Sequence, residues 1–492
     1  MKSPHHTIAP RARKTVAVAV ALIAIVSVTL GRPADGASSA SNSSTANDAI
    51  YRAAATLTGP ITAGQVIEPL TARPLDLTSY GYVQQEFFAS GTATAFRAVT
   101  MPSDGRWAIT PTTSAPYETR ILVRRPADPA RFNGTVVVEW MNETAGESAP
   151  DWDYLNPMLM SDGYAYVAVA AQSVGVDGGK PLFGTLGGST GGLVHMEPSR
   201  YGSLHVPGDQ YSLDIYAQIG KALRDPDRAL GSLHPKHIVA VGESQSAFYL
   251  TTFADALQPL TDTFGGIFIH SRAGFGGGLD GSLGGGPNDL RIRTDLEVPV
   301  FMFETQTDLI ALGYATAQQP NTDRIRTWEV AGTAHADAYE VGGEAGVLGC
   351  TAPVNDGPQH EVVQAAFTAF ERWVVHGTEP PSPPPFRLSA THPASLALDG
   401  HGNVIGGVRT PAVDVPVSTL SGAAPAGASE ICSLFGETTP FSPATLIDLY
   451  RTKSHYLALY KASLNKAIAG GFILKADRDG LLAHAEQVLL PS

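Results

Sequence analysis

The chain has 492 residues, 43% of them hydrophobic and only 16% charged, with 51 glycines and 36 prolines. That apolar content supports a sizeable core, while the turn-rich, charge-poor composition excludes a coiled coil or a disordered polymer. A formal charge of −13 at pH 7 excludes a protein built to hold nucleic acid or an anionic membrane surface by charge.

At the N-terminus Lys2, Arg11, Arg13 and Lys14 precede the uncharged apolar stretch Thr15–Leu30, and small residues follow, with Ala34 and Gly36 placed before a cut. This order predicts a Sec-type signal peptide over residues 1–36 and a secreted or cell-envelope protein. The apolar run is short for a bilayer, so no stable membrane span is expected; the alternative is an uncleaved N-terminal anchor facing outside. Cleavage would remove Lys2, Arg11, Arg13, Lys14 and Arg32 against Asp35 alone, leaving the mature chain more acidic. Residues 37–49, rich in Ser and Ala, read as a flexible leader.

From residue 50 the pattern turns strand-like. Alternation over Tyr82–Phe88 and the β-branched run Thr119–Arg124 predict strands, and Asn133-Gly134 marks a turn before Thr135–Trp140. Thr135–Trp140, Tyr166–Ala170, His237–Val241, Phe264–Ile269, Val298–Phe303 and Arg326–Ala331 are apolar runs of the kind covered on both faces. Helical patterns over Gly208–Leu223, from Ala247 to Leu257 and over His360–His376 separate some of them. Apolar strands alternating with helices predict an α/β fold with a mostly parallel central sheet covered by helices, over residues 50–378. Pro380–Pro385 is a stiff connector. Within residues 379–492, His401-Gly402-Asn403 reads as a turn and Ser442-Pro443 as the start of a helical stretch to about Ile468. This segment is expected to wrap onto the core as a C-terminal extension.

Only Cys350 and Cys432 occur, and in an oxidising compartment they are expected to form one disulfide; two free thiols are the alternative. No Cys/His spacing fits a zinc site and there is no HExxH, so neither metal nor cofactor is expected. The glycine-dense stretch Gly274–Gly286 lacks the Lys-Ser/Thr of a phosphate loop and reads as a mobile flap or plain loop. Asp477-Arg478-Asp479-Gly480 resembles part of a calcium loop, but nothing completes it and it reads as a helix start.

The chemistry-bearing pattern is Gly242-Glu243-Ser244-Gln245-Ser246, between the His237–Val241 strand and the following helix. Small-x-Ser-x-small at a strand-to-helix turn is the layout of a nucleophile elbow, whose tight backbone has no room for bulk two residues either side of the serine. An activated serine needs a base and an acid to orient it. In the order expected for this layout the acid comes next and the histidine last. Asp308 follows the Val298–Phe303 strand, and His335 lies in the small-residue loop after Arg326–Ala331. Glu304, nearer the strand end, is the alternative acid. His195, His205, His270 and His360 are rival bases; His270 precedes the acid, and His360 begins a helix. The oxyanion donors are expected to be the N–H of Gln245 and one from Asn142 or Glu143, in the loop after Thr135–Trp140.

Three stretches carry a resemblance: Asn133–Asn142, Gly242–Ser246 and Trp328–Asp337, the last the most specific. Together with Gly406-Gly407-Val408-Arg409-Thr410-Pro411 they resemble a bacterial family of largely uncharacterised α/β-hydrolase-domain proteins, from about residue 60 to the end. The resemblance implies an α/β-hydrolase fold with Ser244 as nucleophile and His335 as base, and Asp308 fits the acid position. Ser246 stands where glycine is commoner, and small is what the turn requires. The reading is an exported serine hydrolase acting on a small-molecule or lipid-like carboxylic ester through an acyl-enzyme, with no nucleic-acid partner and the oligomeric state left open. An acyltransferase or serine peptidase would use the same triad. A non-catalytic exported binding protein on this fold is the alternative of another class, and the intact Ser/Asp/His set argues against it.

Overall fold

A nine-stranded sheet forms the centre of the protein in this computed structural model, which describes residues 49–490 apart from 71–74, 145, 180–190, 226–228, 343–348, 351–352 and 392. The signal peptide and nearly all of the leader read from the sequence lie outside the described residues.

The sheet begins with β1 (Thr56–Thr58), β2 (Tyr82–Thr100) and β3 (Ala108–Pro126), joined antiparallel. It continues with β4 (Thr135–Trp140), β5 (Ala165–Val169), β6 (His237–Glu243), β7 (Ile267–His270), β8 (Val300–Glu304) and β9 (Ile325–Glu329). The spatial order is β1-β2-β3-β5-β4-β6-β7-β8-β9, antiparallel as far as β5 and parallel from β5 to β9. Every residue of β4, β5, β7 and β8 is buried, which is why these strands read as unbroken apolar runs.

Three helices matter most for the site: α1 (Pro150–Ser161) after β4, α2 (Ser212–Ala222) before β6, and α3 (Gln245–Thr252) directly after it. A short α4 (Gln306–Ile310) follows β8, and α5 (Gln359–His376) covers one face of the sheet. Phe367 and Phe370 of α5 pack on Phe268 of β7 at ring distances of 5.7 Å each, and Gly377, at φ 67°, ends the helix.

The C-terminal segment is held against this body at several points. Val408 bridges Val330, just past β9, and the Trp328 indole N–H donates to the Pro381 carbonyl at 2.8 Å. A small two-stranded ladder, Ser418–Ser421 with Glu437–Pro440, lies in this segment. The helical stretch expected from Ser442 to Ile468 is two helices, Pro443–Tyr450 and Lys453–Ala469, because Arg451 takes φ 63° and breaks the ladder. The glycine-dense loop is not a free flap. Gly276 pairs with Gly285, Gly277 N–H donates to Phe248 O at 2.8 Å, and Tyr249 Oη–H donates to Gly281 O at 2.9 Å. The Cys350–Cys432 disulfide is present.

Candidate active site

The turn from β6 into α3 puts Ser244 at φ 59°, ψ −121°, a conformation non-glycine residues rarely adopt. Its carbonyl accepts the Phe248 N–H at 3.1 Å and its own N–H donates to His270 O at 2.9 Å, so both neighbouring elements hold the strained residue. A Cβ added at Gly242 would sit 2.9 Å from Leu250 Cδ1 and 3.0 Å from Ser246 Cβ. Glycine at 242 and a small side chain at 246 therefore follow from sterics. Of the five elbow residues only Ser244 is partly exposed.

The structure brings Ser244, His335 and Asp308 together. Ser244 Oγ lies 2.6 Å from His335 Nε2, and His335 Nδ1 lies 2.6 Å from Asp308 Oδ1. The second Asp308 oxygen accepts the Thr305 backbone N–H at 2.6 Å and its hydroxyl at 2.7 Å, the reciprocal capping box that opens α4. A carboxylate holding three donors in this way fixes Nδ1–H toward itself and leaves Nε2 as the acceptor of the serine proton. The His335 loop is held as well: its backbone N–H donates to Thr307 Oγ at 3.2 Å, and Thr307 in turn donates to Gly422 O at 2.6 Å. The C-terminal segment thus braces α4, which carries Asp308, and through Thr307 the loop that carries His335.

Glu304 is not in this chain of contacts. It ends β8 fully buried, neither carboxylate oxygen has a hydrogen-bond partner among the described residues, and burial pushes its carboxyl well above the ordinary range. The rival histidines are placed elsewhere. His270 pairs with Asp151 at 2.9 Å in full burial, His205 with Asp177 at 2.9 Å on the surface, and His360 stacks on Tyr339; His195 sits in the short helix Gly192–Met196.

Sequence reasoning passed over Glu243, yet its Oε1 lies 3.5 Å from His335 Nε2. Burial, with the nearby Glu340, Asp151 and Asp308 charges, drives its carboxyl well above the usual carboxylate range. In its neutral form Glu243 adds no charge beside the serine. The Thr305-x-x-Asp308 box was the readable signal that separates Asp308 from Glu304. Glu243 had no such signal beyond its place next to the serine.

The loop after β4 departs from the expected oxyanion arrangement. The Asn142 N–H donates to Ser148 O at 2.9 Å, and its side-chain amide donates to Glu243 O at 3.2 Å. The Glu143 N–H donates to Gln245 Oε1 at 2.8 Å, and the Thr144 N–H to Asn142 Oδ1 at 2.8 Å. Neither backbone N–H proposed from the sequence, at Asn142 or Glu143, is open: the hairpin-like turn of this loop and the Gln245 side chain already use them. The Gln245 backbone N–H, in the first turn of α3, is among the N–H groups a helix leaves unpaired.

The arrangement can therefore abstract the proton of a positioned hydroxyl and return it. Residues 57–483 match the sequence model of a family described as an alpha/beta hydrolase domain, and the chain belongs to that family. No curated protein matches it. Among solved structures, esterase Est22 aligns at 12% identity over 49% of this chain and 72% of its own, with a TM-score of 0.26. A glucuronoyl esterase from Solibacter usitatus aligns at 11% identity over 58% of this chain and 86% of its own, also at 0.26.

Proposed function

We propose that this member of the alpha/beta hydrolase domain family is an exported serine hydrolase that cleaves carboxylic esters. The observation that carries the reading is the continuous Asp308–His335–Ser244 hydrogen-bond chain, with the serine on a strained elbow. Ser244 Oγ attacks the acyl carbon while its proton passes to His335 Nε2. Asp308 holds the Nδ1–H and offsets the charge of the imidazolium. The carbonyl oxygen becomes an oxyanion facing the start of α3, where the Gln245 N–H receives it. Collapse expels the alcohol, protonated by His335, and leaves an acyl-enzyme. Water activated by the same imidazole then releases the acid. Ester is preferred over amide because the alcohol leaves more readily. Export rests on the N-terminal basic–apolar–small pattern and belongs to the same proposal.

The test is labelling of the secreted protein with a fluorophosphonate, followed by turnover of short- and long-chain p-nitrophenyl esters, with Ser244→Ala as control. Labelling and turnover that vanish together in the variant are expected. An unlabelled wild type overturns the serine mechanism. Labelling with peptide cleavage or acyl transfer, and no ester turnover, overturns the ester assignment alone. Retention of an uncleaved chain in the cytoplasm overturns export.

A further inference from the structure

We infer that the Gln245 side chain, rather than the backbone N–H of Asn142 or Glu143, is the second oxyanion donor. The inference rests on the serine-hydrolase reading above and assigns to that site a group the reading does not use.

A tetrahedral oxyanion on Ser244 needs two or three donors converging from the α3 start and from the neighbouring loop. The Gln245 N–H supplies the first. On the loop, the N–H groups of Asn142, Glu143 and Thr144 all have protein acceptors. The Met141 N–H is also taken, by Val169 O at 3.1 Å. The Asn142 amide is turned toward Glu243, onto both its carbonyl and its carboxyl oxygen.

Beside these engaged groups stands the carboxamide that caps Glu143. A backbone N–H can only donate, so the atom it meets at 2.8 Å must be the Gln245 oxygen, which fixes the orientation of the amide. Nε2 then has no acceptor among the described residues, and it is not sealed from solvent as the buried unpartnered atoms are. Gln245 as a whole is only 8% exposed. The side chain is thus clamped at its oxygen, with its two N–H bonds unspent, on the residue that follows the nucleophile. Clamping removes the rotamer freedom that would otherwise weaken a side-chain donor, because the amide is already ordered before substrate arrives. In the reaction Nε2–H shortens its contact to the carbonyl oxygen as negative charge develops there; no proton leaves the amide.

Two variants separate donation from scaffolding. Gln245→Glu keeps an oxygen to accept the Glu143 N–H but cannot donate from the second position. Gln245→Met removes both functions without adding charge. Donation predicts that both lower kcat on a p-nitrophenyl ester by about 10²-fold or more, with KM within a few-fold of wild type. Affinity for a boronic acid, which binds the serine as a tetrahedral adduct, is expected to fall in parallel with kcat. Wild-type levels of kcat in either folded variant overturn the inference, and retention in Gln245→Glu alone assigns the side chain to scaffolding. A wild type that fluorophosphonate fails to label overturns the serine-hydrolase reading instead. If Gln245→Met melts below the assay temperature, Gln245→Leu takes its place, and a fall in kcat confined to Gln245→Glu, whose carboxylate repels the oxyanion, overturns the inference.

Discussion

Replacing Asp308 with asparagine tests the proposed triad at its most constrained point. Asp308 is fully buried and its two oxygens face different partners: Oδ1 meets His335 Nδ1, and Oδ2 meets the N–H and hydroxyl of Thr305. An amide has one acceptor and one donor end. If the carbonyl stays toward His335, the NH2 confronts the Thr305 N–H at 2.6 Å, donor against donor, and a buried backbone N–H loses its partner. That costs about 1–3 kcal/mol, enough to favour the flipped amide by roughly 5- to 150-fold. The flipped amide points NH2 at Nδ1, which forces the proton onto Nε2, the atom that must accept from Ser244. The wrong tautomer and the lost imidazolium partner together are worth about 10³–10⁴ in kcat, or roughly 4–5 kcal/mol of barrier. The measurement is kcat on p-nitrophenyl acetate beside a urea melt. A folded Asp308→Asn protein within tenfold of wild type would refute both the amide-flip argument and the assignment of the acid.

Glu304→Gln serves as the counterpart: kcat is expected within about threefold of wild type, because Glu304 makes no contact with His335. Its signature is in stability. The Glu304 pKa is raised by burial, so its contribution is fully present below the unfolded value and lost as pH rises toward the folded one. Urea melts from pH 4.5 upward should therefore show the variant gaining on wild type by up to about 1.4 kcal/mol per pH unit, and a constant difference counts against the burial argument. Gly357→Ala puts a Cβ 1.9 Å from Gly332 O, at the base of the His335 loop. It should cost about 1–3 kcal/mol in a denaturant melt and lower kcat as well. Phe301→Ala empties the stack between Phe268 and Trp328, each ring 5.3 Å away, and should cost about 3–5 kcal/mol while the kcat of folded protein holds below the melt.

The fold was legible because the parallel strands are covered on both faces. Burial of whole strands leaves runs such as Thr135–Trp140 with almost no polar interruption, and periodicity reads such runs directly. The elbow was legible for a steric reason, since the close approach of Gly242 and Ser246 allows few residue types. Side-chain competition for donors was not. Whether the Glu143 N–H is free depends on a residue about a hundred positions away turning its amide back across the loop, and no local pattern records that. The break at Arg451 was hidden for a similar reason, because arginine at φ 63° carries no turn signature.

The bracing of Thr307 by Gly422 bears on why the C-terminal segment belongs to the same body as the elbow. Asp308 sits in α4 after β8 and His335 in the loop after β9, and a 2.6 Å contact between them needs both elements fixed to within a few tenths of an ångström. Thr307 makes the link locally, taking the His335 N–H from the loop while standing one residue before Asp308 in α4. Its hydroxyl proton is directed away from that N–H, toward the C-terminal segment. Gly422 O is its acceptor, and the approach is close enough that a Cβ at residue 422 would lie 2.6 Å from the Thr307 nitrogen. The segment beyond the proline connector therefore takes part in the geometry of the pair, and truncation before Gly422 removes a partner from the Asp308–His335 frame even where the sheet remains intact.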